Sequence, residues 1–221
     1  GYFRQCMNTQ GDQLEFFPYN DPAQLPVQAV QDENGERLRV ELPFPGRNVI
    51  LRVWQVQVGR VRLYLLDSND PLNTPADRGI TAELYGGGSE MRLQQEICLG
   101  IGGWTLLRRL GIHPDVCHLN EGHAAFVVLA RAWSHMRDHG GDHRSALNAT
   151  RAGNVFTTHT PVAVGFDRFA PALLERYMET ARQRFGISPR SILALGRENP
   201  DDDGEPFNMA YLAIRGSLLV N

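Results

Sequence analysis

The chain has 221 residues, 42% of them hydrophobic, and a formal net charge of -3 at pH 7, enough apolar material to bury a full core in one large domain or one plus an insertion. All 22 basic residues are arginine, and they are scattered rather than clustered. That pattern offers no footprint for a nucleic-acid backbone or an anionic membrane, and it excludes Schiff-base or P-loop chemistry from a lysine of this chain. No apolar run approaches the roughly 20 residues that cross a bilayer. The opening Gly1-Tyr-Phe-Arg-Gln-Cys6 also lacks the charged and apolar regions of a signal peptide, so a cytoplasmic protein is expected. Cys6, Cys98 and Cys117, odd in number and widely spaced, predict reduced thiols, with Cys98 and Cys117 buried.

In chain order, the first twenty residues are aromatic and polar without periodicity and predict a loop, with a turn at Tyr19-Asn-Asp-Pro22. Strands are expected at Val27 to Val30 and Leu38 to Leu42, separated by a turn at Asp32-Glu-Asn-Gly35 and followed by another at Pro45-Gly46. The run from Val49 to Val58 alternates at period two, and Val61 to Leu66 is its natural hairpin partner across Gly59-Arg60. Residues 27–66 thus read as an antiparallel β unit. Thr74-Pro75 is a cap followed by a first-turn proline. Ser89 opens a long helix whose apolar face includes Leu93, Ile97, Ile101, Trp104 and Leu107, and Gly111 ends it.

Thereafter strands and helices alternate: a strand at Val116 to Leu119, helices at Ala124 to Met136 and Ser145 to Arg151, and a strand at Val155 to Thr158. A helix at Pro171 to Phe185 and a short one from Ser188 to Leu195 come next, then an acidic loop at Asp201-Asp-Asp-Gly204. This alternation predicts an α/β fold with a parallel sheet. In the tail, Met209, Leu212, Ala213 and Leu219 read as a helix without a firm stop. That tail and the missing initial methionine suggest an excised piece of a larger protein.

Two stretches carry the chemistry: Asp115-Val-Cys-His-Leu-Asn-Glu-Gly-His123 and Asn154-Val-Phe-Thr-Thr-His-Thr-Pro-Val162. Each is a short strand that stops in a knot of polar groups. In an open parallel sheet the carboxyl ends of neighbouring strands form the ligand crevice, so the two knots predict one shared polar site. His118-Leu-Asn-Glu-Gly-His123 resembles a zinc signature but holds one residue too many for both histidines to meet one metal. His135, His139 and His143 are spaced four apart, yet Gly140-Gly141 interrupts their helix, which makes them a solvated helix end. Gly100-Ile-Gly-Gly103 is preceded by no strand and reads as close helix packing. Gly86-Gly-Gly88, just before a helix, either presents backbone N–H groups to an anion or sugar hydroxyl or is a flexible linker. Glu121 alone could be a helix cap and His159 alone a core histidine. Together with Asn120, His123 and Thr160 they offer donors and acceptors with little aromatic surface, an inventory that suits a polyhydroxylated ligand such as a sugar.

Tyr85-Gly-Gly-Gly-Ser-Glu-Met-Arg-Leu-Gln-Gln-Glu96, His118-Leu-Asn-Glu-Gly-His-Ala-Ala-Phe126 and Val155-Phe-Thr-Thr-His-Thr-Pro-Val162 resemble, in order and spacing, the α-glucan phosphorylases. The nearest form is the shorter bacterial and archaeal type with a β insertion at residues 27–66. The resemblance implies that residues 1–221 are part of the N-terminal half of a two-domain GT-B glycosyltransferase, a Rossmann-like parallel sheet with flanking helices. It implies transfer of the terminal glucose of an α-1,4-glucan to inorganic phosphate, giving glucose 1-phosphate with retention. It also implies pyridoxal phosphate held by a lysine of the C-terminal half, outside this chain, so that the isolated chain is inert and binds no cofactor. By the same resemblance His159 contacts the transferred glucosyl unit and Glu121 supports it. Asn120 and His123 orient the same motif, and Tyr85, Gly86, Gly87 and Gly88 belong to a gate loop.

The phosphate-side glycine-rich loop and the basic phosphate-binding residues of the family lie outside these residues. A surface meant to meet the missing half leaves room for self-association into a homo-oligomer. Two rivals remain at this point. A nucleotide-sugar GT-B glycosyltransferase shares the architecture, and a non-catalytic carbohydrate-binding module would use exposed aromatics such as Tyr2, Phe3 and Tyr19.

Overall fold

The structure, a computed structural model, describes residues 3–84, 86–160 and 165–221. The chain divides into two compact units, one gathering residues up to Leu42 with Asn48–Gln95, the other Pro43–Arg47 with Glu96–Asn221.

In the first unit, β1 (Arg4–Met7) and β2 (Gln13–Phe16) form an antiparallel hairpin where a loop was expected. Every residue of both strands is exposed, so no burial pattern marked them. The turn between them is tied by the Asn8 side chain, whose Oδ1 accepts the N–H groups of Gln10 at 3.0 Å and Asp12 at 2.8 Å. The expected β unit is present as β3 (Gln28–Ala29), β4 (Arg39–Phe44), β5 (Arg47–Val58) and β6 (Val61–Asp67). β5 is the hub, pairing with each of the other three. Its alternation buries Val49, Leu51 and Val53 completely, and the Val58↔Val61 register leaves Gly59-Arg60 as a two-residue turn, as period-two patterning requires.

After β6 a buried polar segment leads to α1 (Pro75–Arg78), capped by Thr74. Asp70, fully buried, accepts from Arg39 at 2.8 Å and from the Leu72 N–H at 3.0 Å. Asn73 donates to the carbonyls of Ile50 and Ser68, both at 2.7 Å. Both buried side chains have their partners, which is the condition for burying them at all.

α2 (Ser89–Ile97) runs through a π turn at Cys98–Gly102 into α3 (Gly103–Arg109). A π turn takes in one residue more than the regular helix and rotates the next segment about the axis. This corrects the expected apolar face: Leu106 is buried and Leu107 only half-buried. Gly100 sits in that turn because a Cβ there would lie 2.7 Å from the Phe126 Cβ and 2.9 Å from the Val127 nitrogen. Close packing, not a dinucleotide loop, explains this glycine.

The second unit holds a three-stranded parallel sheet in the order β11 (Leu219–Val220), β8 (Asn154–Thr157), β7 (Cys117–Asn120). Between β7 and β8 run α4 (Phe126–His139) and α5 (His143–Arg151). Later come β9 (Arg168–Phe169), α6 (Pro171–Phe185), α7 (Pro189–Leu193), β10 (Phe207–Asn208) and α8 (Met209–Gly216). β9 and β10 pair with each other, a link without sequence signal. The tail also departs from expectation. Its helix ends at Gly216, and Leu219 and Val220 pair with Val155 and Phe156 as a third strand. At the amino end of the sheet the buried Arg131 of α4 donates to the Gly153 carbonyl at 2.7 Å and to Asn154 Oδ1. Asn154 passes its amide to the Gly216 carbonyl at 2.7 Å.

Replacing Gly100 by valine forces Cβ and two methyls against Phe126 and the α4 backbone. We expect it to cost about 1–3 kcal/mol of unfolding free energy, read from a lower urea midpoint at unchanged slope.

Candidate functional site

The site is built where β7 and β8 end side by side. Their parallel register, Asn120↔Thr157, brings both polar knots to the carboxyl edge of the sheet. Glu121 continues the ladder, its N–H donating to the Thr157 carbonyl at 2.8 Å. Its backbone then turns sharply: φ is +64° and ψ 171°, the one positive-φ position occupied by a residue other than glycine among the described residues. A side chain in that region costs on the order of 1–3 kcal/mol and persists only where surrounding contacts impose it.

Those contacts are visible. The Glu121 carboxylate does not cap the next helix. It reaches across to the end of β8 and accepts the His159 N–H at 2.6 Å, the Thr158 hydroxyl at 3.0 Å and the Thr160 hydroxyl at 3.2 Å. Charge-assisted bonds of this kind are the strong ones. Beside them the Asn120 side chain meets His159, Oδ1 to Nε2 at 3.0 Å. One step back along the same face, His118 Nε2 meets the Thr157 hydroxyl at 2.8 Å. Thr158 was not picked out from the sequence, and His118 only as one end of a zinc-like motif. The signal for both is the period-two face they share with Asn120 or the hydroxyl-rich run they belong to.

Burial taken alone raises the Glu121 carboxyl's pKa. The bonds from the His159 N–H, Thr158 and Thr160 and the nearby imidazole outweigh it, and the group titrates below its ordinary value. With its oxygens engaged by donors, Glu121 is suited to holding the neighbouring strand end rather than to taking a proton from a ligand. His159 itself is exposed and Thr160 half-buried.

The other expected residues are spread more widely. His123 lies in the 3-10 turn Gly122–Ala124 just after Glu121, half-buried. Gly86, Gly87 and Gly88 belong to the other compact unit, ahead of α2, and Gly87 has a φ of +81°. Tyr85 lies outside the described residues. His135 and His139 stack on α4 at 4.4 Å between ring centroids, whereas His143 is buried at the start of α5. Among the described residues no group of three or more His, Cys, Asp and Glu is placed to hold a metal. All three cysteines are free, and Cys98 is buried as expected. Cys117 is only half-buried, and its burial still pushes the thiol's pKa up against the opposing charge of Arg131. No helix among the described residues is long and apolar enough to cross a membrane.

No family model matches the chain. Over its whole length it is 44% identical to the maltodextrin phosphorylase of Thermococcus litoralis, 42% to the glycogen phosphorylase of Mycobacterium tuberculosis and 34% to that of Aquifex aeolicus. From end to end the chain is thus similar to maltodextrin and glycogen phosphorylases. It spans 26%, 27% and 32% of the length of those three relatives. The catalytic domain of starch synthase IV from Arabidopsis thaliana, bound to ADP and acarbose, superposes with a TM-score of 0.54 at 19% identity. The match covers 88% of this chain and 33% of the synthase. That likeness shows the fold alone, an α/β architecture of the GT-B class, here with an added antiparallel sheet.

Replacing Glu121 by alanine leaves three donors of the β8 end without their acceptor. We expect a loss of about 1–3 kcal/mol, with the His159 amide losing its hydrogen-exchange protection first and Glu121→Gln falling between wild type and alanine. The pH dependence has a fixed sign. Because the folded carboxyl titrates below its unfolded value of about 4.3, the clamp's contribution is complete above that pH. It is lost as pH falls through the lower folded value. Amide exchange at His159 measured across the acid range, in wild type against Glu121→Gln, checks this.

Proposed function

We propose that the protein to which this chain belongs is a cytoplasmic α-glucan phosphorylase. It transfers the terminal glucosyl unit of an α-1,4-glucan to inorganic phosphate and gives glucose 1-phosphate with retention. The reading is supported by the phosphorylase names of the relatives at 34–44% identity. The observation that carries it in this chain is the bond from the His159 N–H to the Glu121 carboxylate at 2.6 Å, made where a parallel sheet of this class binds ligands.

On this reading His159 faces the transferred sugar, and Glu121 positions its backbone. A backbone held in place before the ligand arrives costs nothing to reorganise as charge develops on the sugar ring, which is where such fixed dipoles accelerate a reaction. Asn120, His123 and Thr160 complete the polar lining. Residues 1–221 make part of an N-terminal glycosyltransferase domain in which 27–66 is a β-rich insertion.

The family's pyridoxal phosphate does not fit this chain by itself. Its aldehyde needs a lysine, and the sequence has none. The residues that would hold it and the substrate phosphate belong to the other half of the enzyme, which is also this chain's natural partner. A nucleotide-sugar transferase reading draws only on the starch synthase likeness, which speaks to fold and not to donor.

Incubated with maltoheptaose and inorganic phosphate, the whole protein should release glucose 1-phosphate in a coupled phosphoglucomutase assay. The purified 221-residue chain should release none. Elongation of the glucan from ADP-glucose or UDP-glucose by the whole protein, without phosphorolysis, would overturn the proposal.

A further inference from the structure

His118 and Asn120 project from one face of β7, because side chains alternate along a strand and the intervening Leu119 is buried on the other. Thr157 and His159 likewise succeed one another on one face at the end of β8. The register Asn120↔Thr157 puts each β7 side chain within diagonal reach of the β8 residue two places further on. The outcome is a two-rung side-chain ladder, His118 to Thr157 at 2.8 Å and Asn120 to His159 at 3.0 Å. The second rung has a chemical consequence for the site.

We propose that Asn120 is a positioning residue that fixes the tautomer of the His159 ring, holding its proton on Nε2 and leaving Nδ1 as the ring's acceptor. The backbone of His159 is already held by Glu121, so the imidazole retains only its side-chain torsions, and the bond to Asn120 selects among them. The atom that Asn120 presents is its amide oxygen, which accepts hydrogen bonds and cannot donate them. Nε2 must therefore carry the hydrogen. A neutral imidazole has one N–H, so Nδ1 keeps its lone pair, and the partner of one ring nitrogen dictates what the other can offer. Asn120 thereby decides which face of hydrogen-bonding chemistry His159 shows to the crevice. The functional weight of this rests on the phosphorylase reading; the tautomer does not.

The ring nitrogens report it directly. The chain is labelled with 15N-histidine, and its long-range proton–nitrogen spectrum is recorded about two pH units above the ordinary histidine range near 6.5. The seven histidines are resolved by comparison with His159→Gln. In wild type, Nε2 of His159 should resonate in the protonated region and Nδ1 in the unprotonated one. Asn120→Asp, which keeps an acceptor oxygen, should preserve that pattern. Asn120→Leu should move both nitrogens toward the averaged shifts of a tautomer mixture.

A protonated Nδ1 in wild type, averaged shifts already in wild type, or an unchanged spectrum in Asn120→Leu would each overturn the proposal. Backbone amide shifts of Thr158 to Thr160 show whether the strand end is intact. If Asn120→Leu disturbs them, wild type and Asn120→Asp decide between the outcomes. In the whole protein, Asn120→Leu should lower kcat/KM for phosphorolysis and Asn120→Asp should retain it. A locked ring with kcat/KM untouched would sink His159's role in the reaction, not the tautomer assignment.

Discussion

One carboxylate organises the end of the sheet. Glu121 stands at the tip of β7 in a backbone conformation that is strained for any residue but glycine, and its three acceptor contacts all go to residues 158–160, just beyond the neighbouring β8. The strained turn and the bonds are two halves of one arrangement. Without the turn the carboxylate would continue in the direction of β7 into the next helix; without the bonds nothing would offset the turn. The position and orientation of His159 depend on this arrangement, and so does the ability of Asn120 to reach its ring.

Behind that edge the fold supplies rigidity by unrelated means. The amino end of the sheet is closed by Arg131, whose guanidinium meets the Gly153 carbonyl and Asn154 Oδ1 and lies 5.4 Å from the Trp104 ring. A buried cation is costly unless its donors are met, and here carbonyl and amide oxygens meet them. Gly100 lets the π turn itself lie directly on the start of α4. The helix after Glu121 is thus held against its neighbours independently of the site.

Much of this was legible in the sequence where local chemistry and burial agree. Pro171 at the first helical position and Gly186 in the left-handed region bracket α6 at its expected bounds. The alternation of Val49, Leu51 and Val53 marks β5 because one of its faces is fully buried. Where burial does not discriminate, the signal fails. β1 and β2 are exposed on both faces, and β11 is a strand only because Leu219 and Val220 find β8, a tertiary fact that helical spacing cannot contain. The site divides the same way. Its motifs and their meeting at two strand ends could be read from spacing, but the direction of the Glu121 side chain could not. That direction comes from a φ of +64° that nothing in the residue type announces.

The middle position of β8 also sets a timetable for assembly. It pairs with β7, which precedes it in the chain, and with β11, which comes only after several more helical and strand-bearing segments have been made. Asn154 likewise waits for the Gly216 carbonyl. During synthesis β8 therefore spends an interval with one flank open, and pairings between segments so distant along the chain are slow to close and prone to sticking elsewhere. The Asn154 amide N–H, which donates to the late-arriving Gly216 carbonyl, favours the correct neighbour over any apolar strand that passes first.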